Sequence, residues 1–129
     1  MQFSRWFLTL GAAGCGSAVA LGAFAAHGLK ARIDPAALAV FQTGVTYQFF
    51  HSLALCLLAL WLRQVGRAFD AGDAAVVAGF AFVAGIAMFS SSLYVLALGG
   101  PRWIGPITPL GGMAFIAGWC AFAWSAWRD

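Results

Sequence analysis

Charge is scarce in this sequence. Only 9% of its 129 residues are Asp, Glu, Lys or Arg, while 63% are hydrophobic; soluble domains average about 25% charged and about 45–50% apolar. So few charges cannot cover a globular surface in polar groups, so lipid must be the solvent for much of the chain. The mean hydropathy of +0.88 agrees. The seven Lys and Arg behind the net charge of +3 are scattered singly, which excludes the clustered basic patch of a nucleic-acid binder. They read instead as topology determinants beside membrane spans.

Paired reactive groups are missing too. Cys15, Cys56 and Cys120 lie inside apolar runs and form no CxxC pair, so neither a disulfide framework nor a zinc site is indicated. Asp34, Asp70, Asp73 and Asp129, the four acids, fall in loops or at the terminus. No acid inside a span is therefore at hand to orient a Ser–His pair for nucleophilic catalysis. His27 and His51 differ in depth by about 12 Å, which keeps them from sharing a haem or a metal ion. No cofactor, no metal and no enzymatic reaction are expected.

What the sequence does contain is four long apolar runs, at about residues 6–26, 43–62, 74–98 and 107–127. Each is long enough to cross a hydrocarbon core of roughly 30 Å. The first carries an A-x-A pattern at 23–25, as a cleaved signal would. At about 20 residues, however, it is a full span, and an uncleaved first helix is expected. Charged or Gly/Pro-rich segments separate the runs: "HGLKARIDP", "RQVGRAFDAGD" and "GGPRWIGP". Asp34-Pro35 is a good N-cap followed by an N1 proline. The second helix should start there, with 36–42 in the interface and a bend near Gly44. The fold class expected is an all-α integral membrane protein, a single four-span bundle with a short interfacial helical segment before helix two. An even number of spans puts both termini on one side. Arg5, Arg63, Arg67 and Arg128 flank that side, against Lys30, Arg32 and Arg102 on the other, which favours cytoplasmic termini. Trp6, Trp61 and Trp127 fall level with those arginines, as an aromatic belt would.

Depth then sorts the polar residues. Counted from the terminal side, His51 lies about 16 Å in and Gln48 and Tyr47 about 21–22 Å in. Ser90, Ser91, Ser92 and Tyr94 of the third span reach a similar layer, as do Gly22 of the first and the Gly111-Gly112 pair of the fourth. Four helices thus bring their smallest or most hydrogen-bonding residues to one level, and close packing of backbones is expected at Gly22, Gly111 and Gly112. Tyr47 and His51 are four apart, as are Gln48 and Ser52, so they form neighbouring rows on one side of a helix. Gly14, Ala18, Gly22 and Ala26 repeat every four positions, and Ala81-Gly85 and Ala114-Gly118 do likewise. Small residues at that spacing are a packing device where lipid removes the hydrophobic drive between helices.

An ionisable residue at the membrane midplane is a functional candidate and needs a named partner. For His51 these are Tyr47 on its own helix, or Ser90, Ser91 or Thr108 across the bundle. Two functions follow. The plainer is a neutral imidazole fixing helix register in a structural or accessory protein that acts through lipid, partner subunits or a second copy of itself. The sharper is a conduit for protons or a small solute, or a ligand site, built around His51. At the other end, His27, Lys30, Arg32 and Arg102 make either a solvated loop cluster or contacts to anionic lipid head-groups, with Trp103 beside them.

Four motifs resemble a known family. "GAFAAHGL" at 22–29, "YQFFHSLAL" at 47–55, "FSSSLYVLAL" at 89–98 and "ITPLGG" at 107–112 are similar to the domain-of-unknown-function 423 family, small four-span proteins whose eukaryotic relatives are called transmembrane protein 256. The resemblance covers nearly the whole chain. It implies a multi-pass inner-membrane protein, bacterial or mitochondrial, and brings no reaction with it. Ser91 stands where the family pattern Phe-Ser-Gly-Ser-Leu-Tyr has glycine, which implies either looser packing of the third span or one more hydroxyl in the layer.

Overall fold

The computed structural model describes residues 2–129. Five α-helices make up four rods: α1 (Gln2–Phe24), α2 (Pro35–Val65), α3 (Ala74–Gly85), α4 (Ser91–Ala97) and α5 (Ile107–Arg128). A π-helical turn, Ala25–Leu29, extends α1, and a second, Ile86–Ser90, joins α3 to α4 into one rod. The four helices Gln2–Leu29, Pro35–Val65, Ala74–Ala97 and Arg102–Arg128 are each long and apolar enough to cross a membrane. Every expected apolar run lies within one of them, Leu98 alone falling one residue past its helix.

Local chemistry sets the ends. The Asp34 carboxylate accepts from Ala37 N at 2.8 Å, with Pro35 at the first helical position, so α2 begins where the N-cap signal put it. It ends at Gly66, whose φ of 71° is the left-handed conformation that closes a helix. Between those ends α2 runs unbroken. The expected separate segment before Gly44 is therefore the first two turns of α2 itself. At 31 residues, α2 is about 46 Å long and outreaches a hydrocarbon core of about 30 Å, so its ends project without any break.

The two inner rods, α2 and α3–α4, are the more buried, and α1 and α5 lie outside them. Glycines seat phenylalanine rings between rods. Phe7 of α1 fills the space over Gly79 of α3, Phe115 of α5 that over Gly85, and Phe82 of α3 that over Gly118. Phe7, Phe82 and Phe115 join Leu55, Leu58 and Val76 in the main core, while Ala25, Leu29, Phe41 and Ala97 form a smaller one toward the other end. Such dense contact supplies the dispersion attraction on which helix association in lipid depends.

The four-spaced row of small residues on α1 does not hold to its end. Ala18 is buried but Ala26 is exposed. Each step of four overshoots the 3.6-residue turn by about 40°, so by Ala26 the row has rotated about 120° from Gly14. The buried row is Gly11, Ala18 and Ala25, whose spacing of seven drifts by only about 20° per step.

Candidate functional site

The hydrogen bonds and ring contacts sort the polar residues into three groups rather than one. In the first, His51 Nδ1 lies 2.8 Å from the Tyr47 carbonyl oxygen, and Trp119 Nε1 donates to His51 Nε2 at 3.1 Å. A carbonyl can only accept and an indole N–H can only donate, so this pairing fixes one neutral tautomer, protonated at Nδ1. Phe115 stacks on the imidazole with centroids 3.6 Å apart and planes 14° apart. Phe82 stands at 5.8 Å from it. His51 is only 6% exposed. The expected hydroxyl partners are wrong: Ser90, Ser91 and Thr108 do not bond it, and Tyr47 serves through its backbone. Trp119 was missed because a tryptophan in a span reads as an apolar ring, and pairing Trp119 with His51 depends on how α5 is rotated.

Gln48 centres the second group. Its Nε2 donates to Gly14 O at 3.0 Å and to Ser17 Oγ at 2.8 Å, and its Oε1 accepts from Tyr94 Oη at 2.6 Å. Because Gly14 O accepts only, the amide has one orientation. Three rods, α1, α2 and α4, are thereby tied through one side chain. Gly22, expected at this level, instead faces Val45. The residue of α1 that meets Gln48 is Ser17, five residues or about 7.5 Å nearer the terminal end. Ser17 and Gly14 were missed as hydrogen-bonding residues because their small size marks them only as packing.

Serines form the third group around the π turn. Ser90 Oγ donates to Gly44 O at 2.7 Å. Ser92 Oγ donates to Phe89 O at 2.8 Å, which leaves it to accept from Thr108 Oγ1 at 2.6 Å. Ser91 is exposed on the outside of α4, so it neither adds to the layer nor crowds it. Ser52 is fully buried, and its Oγ has no partner among the described residues; it lies against Gly14.

Close packing at Gly111-Gly112 also divides. A Cβ on Gly111 would press on the backbone of Phe89, with Cα at 2.8 Å, but one on Gly112 would meet only the Phe89 ring at 3.8 Å. Gly112 was expected to be as tight as its neighbour and is not, because adjacent residues of a helix point about 100° apart.

An open groove of about 620 Å³ runs between α2 and α5 and reaches His51 itself, with Thr46, Tyr47, Phe50, Leu53, Leu57 and Trp119 also in its walls. Its surface is mostly hydrocarbon, which suits apolar groups better than water. At the far end His27, Lys30, Arg32 and Arg102 are all exposed, and no hydrogen bond or ion pair joins them among the described residues. Toward the termini, Arg67 pairs with Asp73 at 3.2 Å and with Asp129 at 3.1 Å. Its guanidinium holds both carboxyls below the usual carboxylate range. No group of His, Cys, Asp and Glu fit to hold a metal occurs among the described residues.

Comparison with known proteins agrees with this picture of a helical membrane protein. Residues 21–112 match the family described as "Protein of unknown function (DUF423)". The UPF0382 membrane protein YwdK of Bacillus subtilis is 42% identical over 113 residues, covering 88% of this chain and 89% of that protein. A UPF0382 membrane protein of Haemophilus influenzae is 38% identical over 123 residues, 95% of this chain and 94% of its own. The UPF0382 inner membrane protein YgdD of Escherichia coli is 37% identical over 116 residues, 90% and 85% respectively. No solved structure matches the chain. With its four motifs inside or overlapping the matched region and relatives aligned along most of its length, the chain belongs to the DUF423 family of multi-pass membrane proteins.

Proposed function

We propose that this protein is a structural or accessory component of the bacterial inner membrane, a single four-span unit with both termini in the cytoplasm, acting through lipids or partner subunits. The observation that carries this reading is the saturation of His51: one nitrogen is committed to a backbone carbonyl, the other to an indole N–H. A histidine that relays protons needs a free lone pair or an exchangeable partner on each side, and both partners here are fixed groups that do not titrate. The apolar groove beside the ring favours the second reading, a ligand site at His51, only for an apolar ligand.

Substitution separates the two. His51→Gln keeps a donor and an acceptor at similar reach, so a register-fixing role predicts near-normal melting and normal growth phenotype. His51→Leu leaves the Trp119 N–H unpaired and should lose about 1–3 kcal/mol of stability. Normal stability with a lost phenotype in His51→Gln would refute the scaffold role. Reporter fusions at Asp129 and after Arg102 should report opposite sides, the first of them cytoplasmic.

A further inference from the structure

Four arginines stand at the end of the bundle where both termini lie. Arg67 is held by Asp73 and Asp129, Arg63 donates to Ser4, and Arg128 lies over the Trp124 ring. Arg5 has no hydrogen-bond, ion-pair or ring partner among the described residues. Its side chain, with Gln2, Trp6 and Thr9, lines an open hollow of about 580 Å³ on α1. Gln2 and Trp6 also wall a second groove of about 530 Å³, otherwise formed by Phe3, Phe7 and Leu10 of α1 and Phe80 and Val83 of α3. One hollow sets a cation and two neutral polar side chains beside the Trp6 ring, the next is almost all hydrocarbon, and the two share a wall. That is the layout of an amphiphile.

We propose that these adjoining hollows bind one anionic phospholipid of the leaflet at the terminal end. Its phosphate would sit on Arg5, with Gln2 and Thr9 as neutral hydrogen-bond donors, and one acyl chain would run down the groove between α1 and α3. Trp6 stands at the boundary, where interfacial tryptophans sit. The anionic class follows from charge. The lining offers an unpaired guanidinium and no carboxylate, so the ammonium of a zwitterionic head-group would meet only the face of Trp6, with the like charge of Arg5 beside it opposing the contact. A planar guanidinium also binds phosphate oxygens in pairs. The site lies at the opposite end from the cluster of His27, Lys30, Arg32 and Arg102, and it gives the lipid part of the proposed function a specific place.

Native mass spectrometry of the full chain in detergent, with added phosphatidylglycerol or phosphatidylcholine, tests it. The chain should retain one phosphatidylglycerol and no phosphatidylcholine above background. Arg5→Gln should weaken retention about five-fold, the factor one basic residue contributes at an anionic surface. Leu10→Trp, at an outward-facing position that is 43% exposed, should narrow the groove and weaken retention with every charge intact. Arg128→Gln removes the same charge at the same end and should leave retention unchanged. Equal retention by Arg5→Gln, equal loss in Arg128→Gln, or a dimer of the chain that excludes lipid would each overturn the assignment. The His51 variants read melting and phenotype rather than lipid mass, so the two proposals can fail separately.

Discussion

Gln48 and His51 stand three residues apart on α2, in the same dry layer, and meet their polar needs in opposite ways. Gln48 spends three hydrogen bonds on two other rods, α1 and α4. His51 spends one on its own helix and one on α5, and otherwise lies under the Phe115 ring. One side of the layer is therefore held by directional bonds, the other by close ring packing. The difference gives the scaffold reading proposed above its physical basis. An amide can join helices, and an imidazole can be packed as an aromatic ring once both nitrogens are occupied.

The strongest way to break this comparison attacks the packed side without touching a hydrogen bond. Gly111→Leu must displace Phe89, whose ring lies 4.6 Å from Tyr47 and 5.5 Å from Phe115, and overpacking of this kind costs about 1–3 kcal/mol. Gly112→Leu should cost little, since only ordinary contact awaits it. Thermal unfolding in detergent should therefore separate two neighbouring glycines. Equal melting of both variants and wild type would mean the ring side is not tightly packed.

A second pair weighs the two sides directly. Gln48→Leu removes three interhelical bonds averaging about 0.6 kcal/mol each, about 2 kcal/mol in all. Trp119→Phe keeps a ring but leaves the single acceptor His51 Nε2 without its donor, at a cost toward the lower end of about 1–3 kcal/mol because the groove opens beside it. Chemical unfolding of both should rank Gln48→Leu as the worse, and the reverse order would invert the assignment of bonds to one side and packing to the other.

At the terminal end of the bundle acid should produce the smallest effect of all. Asp73 and Asp129 are held below their ordinary range by Arg67, so their contribution is complete above the unfolded carboxylate pKa and is lost as pH falls through the folded values. The part of the stability that depends on Arg67, taken as wild type minus Arg67→Gln, should be flat above about pH 5 and slip slightly below about pH 4. Melting curves of both proteins across the range will check it.

Much of the fold could be read from residue order because it rests on one-dimensional signals. Four apolar runs fix four helices, and Asp34-Pro35 fixes the start of α2. The layer was legible as a level but not as a set of pairs. Depth along an axis follows from counting, while partners depend on how each helix is rotated about that axis. The π turns at Ala25–Leu29 and Ile86–Ser90 compound this, since each departs from the 3.6-residue turn on which a count of faces relies. Trp119 was invisible as a partner because its N–H matters only once α5 is rotated toward His51. Ser17 was passed over as a small packing residue, although its hydroxyl completes the Gln48 amide.

The length of α2 bears on how the protein sits in its surroundings. A rod of about 46 Å in a hydrocarbon slab of about 30 Å has roughly 16 Å to accommodate by leaning or by standing proud. Its apolar run, residues 43–62, is about 30 Å long and matches the slab, so the excess lies in the polar ends, which stand in the interface. Because α1, α4 and α5 are all fastened to α2 through Gln48 and His51, they share its depth. The bundle is then seated as one body, at a level that the apolar run of α2 sets.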